Sequence, residues 1–175
     1  MAKYIKKLGP SKCEILRMYR VFKSFAAKVS NFKIVPRPRM PIFPEYISEN
    51  IIMSILNKPR PVVKKLTRGG DLYSETEQKL ECKCFTSRGP ISFGPKETWN
   101  VLYILDGTEY LHRDSFKLYR VDMSNEEFGQ ILINSKDTYH EQCRSNKRPR
   151  ITWNSLRPQI IKNCSLLFDD EIGNI

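Results

Sequence analysis

The chain has 175 residues, with 30 Lys and Arg against 19 Asp and Glu and a formal net charge of +11. This length suits one domain with a sizeable core, and 40% hydrophobic residues are typical of a globular protein rather than a disordered one. The longest unbroken apolar run, Val101 to Leu105, is far too short to cross a bilayer. The composition therefore excludes a membrane-spanning helix and favours a single globular domain.

The cysteines and the N-terminus indicate a cytoplasmic protein. Five cysteines are an odd number at irregular spacing, which is typical of reduced thiols. The absence of a Cys-x-x-Cys pair excludes a zinc ribbon or a thioredoxin-like site. The first residues are charged and lack the apolar core of a signal peptide, so secretion is not expected.

Positive charge is concentrated in the first part of the chain. Residues 1–40 contain eleven Lys and Arg against one acidic residue, Glu14. The first 69 residues carry a net charge of +13 and the remaining 106 carry −2. This asymmetry favours a polyanion as partner, nucleic acid ahead of a lipid surface, although a solvated basic surface would have the same composition.

The N-terminal part has helical patterns. Ser11 with Glu14 three residues later is a capping box, and apolar residues then recur at helical spacing, so a helix is predicted over residues 12–29. Residues 34–44 contain four prolines and should be extended. Pro44 suits the first position of a second helix with an isoleucine-rich face.

Strand patterns follow, which predicts a chain that mixes α and β structure. A further capping box, Ser124 with Glu127, opens a short helix through about Ile133. Strands are predicted around Leu72 and at Lys79–Phe85, Trp99–Leu105 and Phe116–Val121. A basic loop is predicted at residues 144–150, before a final helix near residues 155–167.

The residues with catalytic potential lie between Asp71 and Lys83. Because side chains alternate along a strand, Glu81 and Lys83 should share one face. The opposite face carries Leu80, Cys82 and Cys84 and should be the buried one. The polar pair then faces a cleft or solvent.

A hairpin turn centred on Thr76 would set Asp71 directly across from Glu81, with Cβ atoms roughly 5 Å apart. Two carboxylates that close repel unless a cation lies between them or one takes a proton, and oxygen ligands suit magnesium. Lys83 would lie beside the metal and could orient or deprotonate an attacking water. The alternative is an ordinary hairpin with charged residues on its solvent-exposed face.

Asp71 followed by Glu81-Cys82-Lys83 resembles the PD-(D/E)XK nuclease signature, and its spacing is similar to that of PvuII-type restriction endonucleases. Gly70 stands in the place of the proline of the motif. The resemblance implies a restriction-endonuclease-like fold, with a central mixed β-sheet flanked by helices and an N-terminal helical arm. It also implies magnesium-dependent hydrolysis of double-stranded DNA by a homodimer, with Asp71 and Glu81 as metal ligands and Lys83 as the catalytic lysine.

On this interpretation the whole chain is one nuclease domain. Residues 1–61 form the basic helical and proline-rich arm, which could serve dimerisation, and residues 62–175 form the catalytic core and the DNA-binding loops. Two loops, residues 88–96 and 139–150, combine cations with amide and hydroxyl groups suited to phosphate and base contacts. The candidate DNA contacts are Arg88, Ser92, Lys96, His140, Gln142, Arg144, Lys147, Arg148 and Arg150.

The resulting hypothesis is a type II restriction endonuclease that cuts double-stranded DNA at a short specific sequence. A Holliday-junction resolvase of the same superfamily is the nearest alternative. A non-catalytic DNA-binding module is an alternative of another class, for which Asp71→Ala or Lys83→Ala would leave DNA handling unchanged.

Overall fold

The structure, a computed structural model, describes residues 10–33, 35–36, 38–57, 72–73 and 78–175, with the backbone alone described at 72 and 73. The helices of these residues are α1 (Lys12–Ser30), α2 (Glu45–Ile55), α3 (Tyr110–Arg113), α4 (Asn125–Gly129), α5 (Tyr139–Arg144) and α6 (Trp153–Ile160). The strands are β1 (Leu72–Tyr73), β2 (Lys79–Phe85), β3 (Pro90–Ser92), β4 (Val101–Asp106), β5 (Ser115–Val121), β6 (Arg150–Thr152) and β7 (Cys164–Glu171).

The central sheet has five strands in the order β1-β2-β4-β5-β7. Strands β2 and β4 are parallel, whereas the other neighbouring pairs are antiparallel, so the sheet is mixed. Strands β3 and β6 form a separate two-stranded antiparallel ribbon. The predicted α+β fold with a mixed sheet flanked by helices is confirmed.

The two N-terminal helices begin near the residues that the sequence indicates. The capping box of Ser11 and Glu14 is present, with both reciprocal hydrogen bonds, directly before α1. Phe25 is one of the apolar residues that recur at helical spacing in the predicted helix, but its side chain is exposed. Pro44 precedes α2 rather than opening it, because its ψ of 129° is extended. None of the helices in the described residues is long and apolar enough to span a membrane.

The sheet is covered on both faces, and each face has its own core. One core joins α1 and α2 to the sheet, and Ile15, Ile51 and Leu80 are among its buried members. The other core lies under α4, α5 and α6 and includes Phe93 and Leu102. A strand buried on both faces needs apolar side chains at successive positions, which explains the run in β4.

The final predicted helix is wrong beyond residue 160. The chain leaves α6 through a 3₁₀ turn at Ile161–Asn163 and then enters β7, which pairs antiparallel with β5. Strand pairing along β5 therefore overrides the local helical pattern. The helix predicted through Ile133 is also shorter, because α4 ends at Gly129.

Candidate active site

The pairing of β1 with β2 determines which residues lie opposite each other in the candidate site. Leu72 pairs with Leu80 and Tyr73 pairs with Lys79. These are the pairs that a turn centred on residue 76 requires, so that part of the prediction is confirmed. Asp71, the predicted partner of Glu81, lies outside the described residues.

Glu81 and Lys83 share a face of β2, as the alternation predicts. Their side chains form an ion pair, with Glu81 Oε1 2.5 Å from Lys83 Nζ. Glu81 is 1% exposed and the Lys83 side chain is 15% exposed. This face is therefore largely shielded from solvent, unlike the exposed polar face of an ordinary hairpin. Electrostatic attraction between the two groups is stronger here than at a surface, because the surroundings are less polarisable than water.

The opposite face of β2 also agrees with the prediction. Leu80 is a buried member of the core under α1 and α2, and Cys82 and Cys84 are packed against that core. Burial raises the pKa of the Cys84 thiol, with a smaller contribution from the charge of Asp106. The thiols of β2 are therefore packing groups, and the polar chemistry of the strand is confined to the Glu81–Lys83 face.

A second carboxylate reaches the same lysine. Glu97, in the loop between β3 and β4, places Oε2 3.1 Å from Lys83 Nζ. Glu97 is not predicted from the sequence, because nothing in the local pattern links position 97 to a strand that ends at residue 85. The one available signal is the Gly94-Pro95 turn, since Glu97 N–H donates a hydrogen bond to the Gly94 carbonyl at 3.3 Å.

Aromatic side chains bound the ion pairs on the side of the second core. The Lys83 ammonium lies 5.5 Å from the centre of the Phe93 ring, a cation–π distance. Phe93 in turn meets Tyr139 in an edge-to-face contact at 5.7 Å. Burial raises the pKa of Tyr139, and the neighbouring Cys143, Glu97 and Glu81 raise it further. Both carboxylates thus lie beside an apolar aromatic wall.

The ribbon of β3 and β6 brings the two predicted DNA-contact segments together. Ser92 of the first segment is the register partner of Arg150 of the second. The next residue, Phe93, donates its backbone N–H to the Pro149 carbonyl at 3.0 Å. Because Phe93 also contacts Lys83, the ribbon adjoins the candidate catalytic strand.

The predicted DNA contacts differ in exposure. Ser92 is only half-buried, yet its hydroxyl is buried and has no hydrogen-bond partner among the described residues. Gln142 on α5 is also half-buried, and its amide donates to the Asp137 carboxylate at 3.4 Å. The remaining candidates are exposed: Arg88, Lys96, His140, Arg144, Lys147, Arg148 and Arg150.

Comparison with known families identifies this chain. The family described as the Bsp6I restriction endonuclease matches residues 10–163, which cover most of the sequence and both sides of the candidate site. The chain belongs to the Bsp6I restriction endonuclease family. Neither the curated proteins nor the solved structures contain a match to it.

Membership in the Bsp6I family confirms several of the predictions at the level of class. The protein is a type II restriction endonuclease, so it is a nuclease, and DNA is its partner. The match begins before α1, so the family pattern includes the two N-terminal helices as well as the sheet.

The residues of this Bsp6I-family chain fit a divalent magnesium ion in donor chemistry. Magnesium prefers oxygen ligands. The Glu81 carboxylate is buried, supplies oxygen atoms and forms an ion pair with the Lys83 side chain. Within the described ranges, no three His, Cys, Asp or Glu side chains converge as a complete metal site. The second predicted ligand, Asp71, lies outside the described residues.

Proposed function

We propose that this Bsp6I-family enzyme is a magnesium-dependent PD-(D/E)XK endonuclease of the PvuII type. It cuts double-stranded DNA at a short specific sequence. The observation that supports the proposal is the buried ion pair of Glu81 and Lys83 on β2. The register Leu72–Leu80, continued by one residue, would put Asp71 opposite Glu81.

In this proposal Asp71 and Glu81 hold the magnesium ion. The bound ion supplies positive charge beside the scissile phosphate. Lys83 contributes an ammonium group that stabilises the negative charge developing on the phosphate oxygens as water attacks, and it helps to orient that water. The aromatic wall formed by Phe93 and Tyr139 limits water on one side, which strengthens these interactions.

The proposed DNA-binding surface is the β3–β6 ribbon with the turn that follows α5. Its exposed cations are suited to phosphate contacts, which fix the register of a protein on the duplex. The half-buried Gln142 amide is a polar group suited to hydrogen bonds with base edges, whereas the Ser92 hydroxyl is buried and would have to be uncovered before it could make one. Phe93 joins this surface to Lys83, so DNA bound on the ribbon would pass beside the candidate catalytic strand.

We further propose a homodimer, in which each subunit cuts one strand of a two-fold symmetric site. The helices α1 and α2, with the preceding basic residues, supply the candidate arm. The cytoplasm is the proposed location, in keeping with five free cysteines. Sedimentation of the protein alone and with duplex DNA tests the dimer, since a monomer in both samples would exclude it.

The function is tested by digesting DNA of mixed sequence with magnesium and sequencing the ends. Cleavage at one discrete sequence is expected, and Glu81→Gln and Lys83→Met should abolish it while DNA binding persists. Glu126→Gln is a matched control, because Glu126 is an exposed carboxylate on α4. Wild-type protein that is inert with magnesium, or that cuts a four-way junction irrespective of sequence, would overturn the proposal.

A further inference from the structure

The Lys83 ammonium lies between two carboxylates from different parts of the chain. Glu81 comes from the same strand, at 2.5 Å, and Glu97 from the β3–β4 loop, at 3.1 Å. The Glu81 contact is explained by the spacing of the motif, which puts both residues on one face of β2. The Glu97 contact has no such local cause, because the loop must fold back over the strand to make it.

The two carboxylates have different functions if Glu81 is a metal ligand. A carboxylate that binds magnesium shares its negative charge with the ion, so less of it is available to Lys83, which is itself repelled by the ion. Glu97 is then the group that keeps the ammonium in place. We propose that Glu97 is a positioning residue for Lys83, an inference that rests on the proposed catalytic function of Lys83.

The loop is shaped to accommodate the Glu97 side chain. A Cβ atom added at Gly94 would lie 2.6 Å from Glu97 Oε1 and 2.9 Å from its Cδ, closer than real Cβ atoms approach other atoms. Glycine at this position therefore leaves the space that the carboxylate occupies. An alanine there would displace the end of the Glu97 side chain without changing any charge.

The surroundings of Lys83 limit where the ammonium can go. The Phe93 ring lies on one side at 5.5 Å, and the Lys83 side chain is 15% exposed. Exposed ion pairs usually contribute little, because solvent screens them and the side chains remain free to move. The Lys83–Glu97 pair is partly enclosed, so its geometry is better held than that of a surface pair.

The first test measures cleavage by Glu97→Gln with saturating magnesium. Loss of the charge should lower kcat by about 10- to 100-fold, the range usual for residues that orient a catalytic group, while KM stays unchanged. DNA binding measured with calcium in place of magnesium, and the thermal unfolding temperature, should also be unchanged. Glu97→Asp keeps the charge and should recover part of kcat. Glu126→Gln is the charge-matched control and should behave as wild type.

Gly94→Ala supplies an independent variant that retains both charged groups. Like Glu97→Gln, it should lower kcat, because the added Cβ would push the Glu97 carboxylate away from Lys83. Gly173→Ala is its control, since a Cβ at Gly173 meets no atom within 4 Å. Wild-type kcat in both Gly94→Ala and Glu97→Gln would overturn the inference.

A double variant separates failure of this inference from failure of the proposed function. In single-turnover assays with excess enzyme, Lys83→Met should lower the cleavage rate by at least about 10²-fold. Adding Glu97→Gln to this variant should not lower the rate further. An additional loss as large as that of Glu97→Gln alone would show that Glu97 does not act through Lys83. If Lys83→Met itself cleaves at the wild-type rate, the proposed catalytic function fails, and the inference fails with it.

Discussion

Ser92 on β3 lies directly opposite Arg150 on β6. These residues belong to two segments that the sequence suggests separately as DNA contacts, and the pairing of β3 with β6 brings the segments together. The surface is attached to the candidate catalytic strand through Phe93, which contacts Lys83. If the proposed function is correct, one buried residue, Phe93, connects the groups that recognise DNA to the groups that cleave it.

The first prediction concerns the cations of that surface. Arg148→Ala and Arg150→Ala should each weaken binding to a duplex of any sequence and reduce the slope of log Kd against log salt by about 1. Each exposed guanidinium that neutralises a phosphate releases about one counterion, which is the source of the slope. Fluorescence anisotropy at several salt concentrations, with calcium present, measures the change.

Lys162→Ala is the control for these variants, because Lys162 is exposed and lies in the 3₁₀ turn before β7, which is an edge strand of the central sheet. Its salt slope should equal that of the wild type. A slope unchanged by both arginine substitutions would show that the ribbon does not contact phosphate.

The second prediction separates stability from catalysis. Lys83→Met should lower the free energy of unfolding by about 3 kcal/mol, since it removes the ammonium beside a carboxylate that is 1% exposed. Adding Glu81→Gln should recover much of this loss, because the buried negative charge is then gone as well. Urea unfolding of the two variants and the wild type measures the effect. Both variants should remain inactive, and a double variant less stable than Lys83→Met would contradict the prediction.

The third prediction concerns metal removal. Treatment with a chelator should abolish cleavage, and magnesium should restore it. Magnesium should also raise the unfolding temperature of the wild type in a concentration-dependent way, because a ligand that binds only the folded state stabilises it. Asp71→Asn should remove that response while the protein stays folded. An equal response in Asp71→Asn and wild type would exclude Asp71 as a ligand.

The fourth prediction concerns pH. Burial alone would raise the pKa of Asp114, but hydrogen bonds from Lys23 and Tyr19 outweigh it and hold the pKa below its ordinary value. A carboxyl whose pKa is lowered on folding stabilises the protein above its unfolded pKa, about 3.9, and loses that contribution as pH falls through the folded pKa. Asp114→Asn should therefore lower stability at pH 7 by about 0.5–1 kcal/mol, the difference shrinking below about pH 4.

Asparagine is the appropriate replacement at this position. Asp114 has a φ of 55°, in the left-handed region that asparagine adopts more readily than most residues. Thermal unfolding from pH 3 to pH 8 measures the difference between the two proteins. A difference that grows toward acidic pH would have the wrong sign and would contradict the ionic explanation.

The sequence predicts those features that arise from local patterns. The capping boxes at Ser11 and Ser124 form as predicted, because each is closed by a glutamate only three residues away. The pairing of Leu72 with Leu80 agrees with the register predicted from the sequence, and the shared face of Glu81 and Lys83 follows from strand alternation. None of these features depends on distant parts of the chain.

The features that the sequence does not predict depend on contacts between distant segments. Residues 164–167 fit a helical pattern, yet they belong to β7, where residues 164–166 pair with β5. Glu97 reaches Lys83 only because the β3–β4 loop folds over β2. The pairing of β3 with β6 likewise joins segments whose relation no local periodicity encodes.

The alternation of side chains along β2 connects the N-terminal helices to the candidate catalytic residues. Leu80 rests on the layer built by α1 and α2, whereas its neighbour Glu81 projects from the other side of the same backbone. A truncated protein that begins after α2 would leave the underside of this strand open to water. In the proposed nuclease, such a truncation would loosen Glu81 and Lys83 although it removes neither of them, so the N-terminal helices would support the catalytic strand from its opposite face.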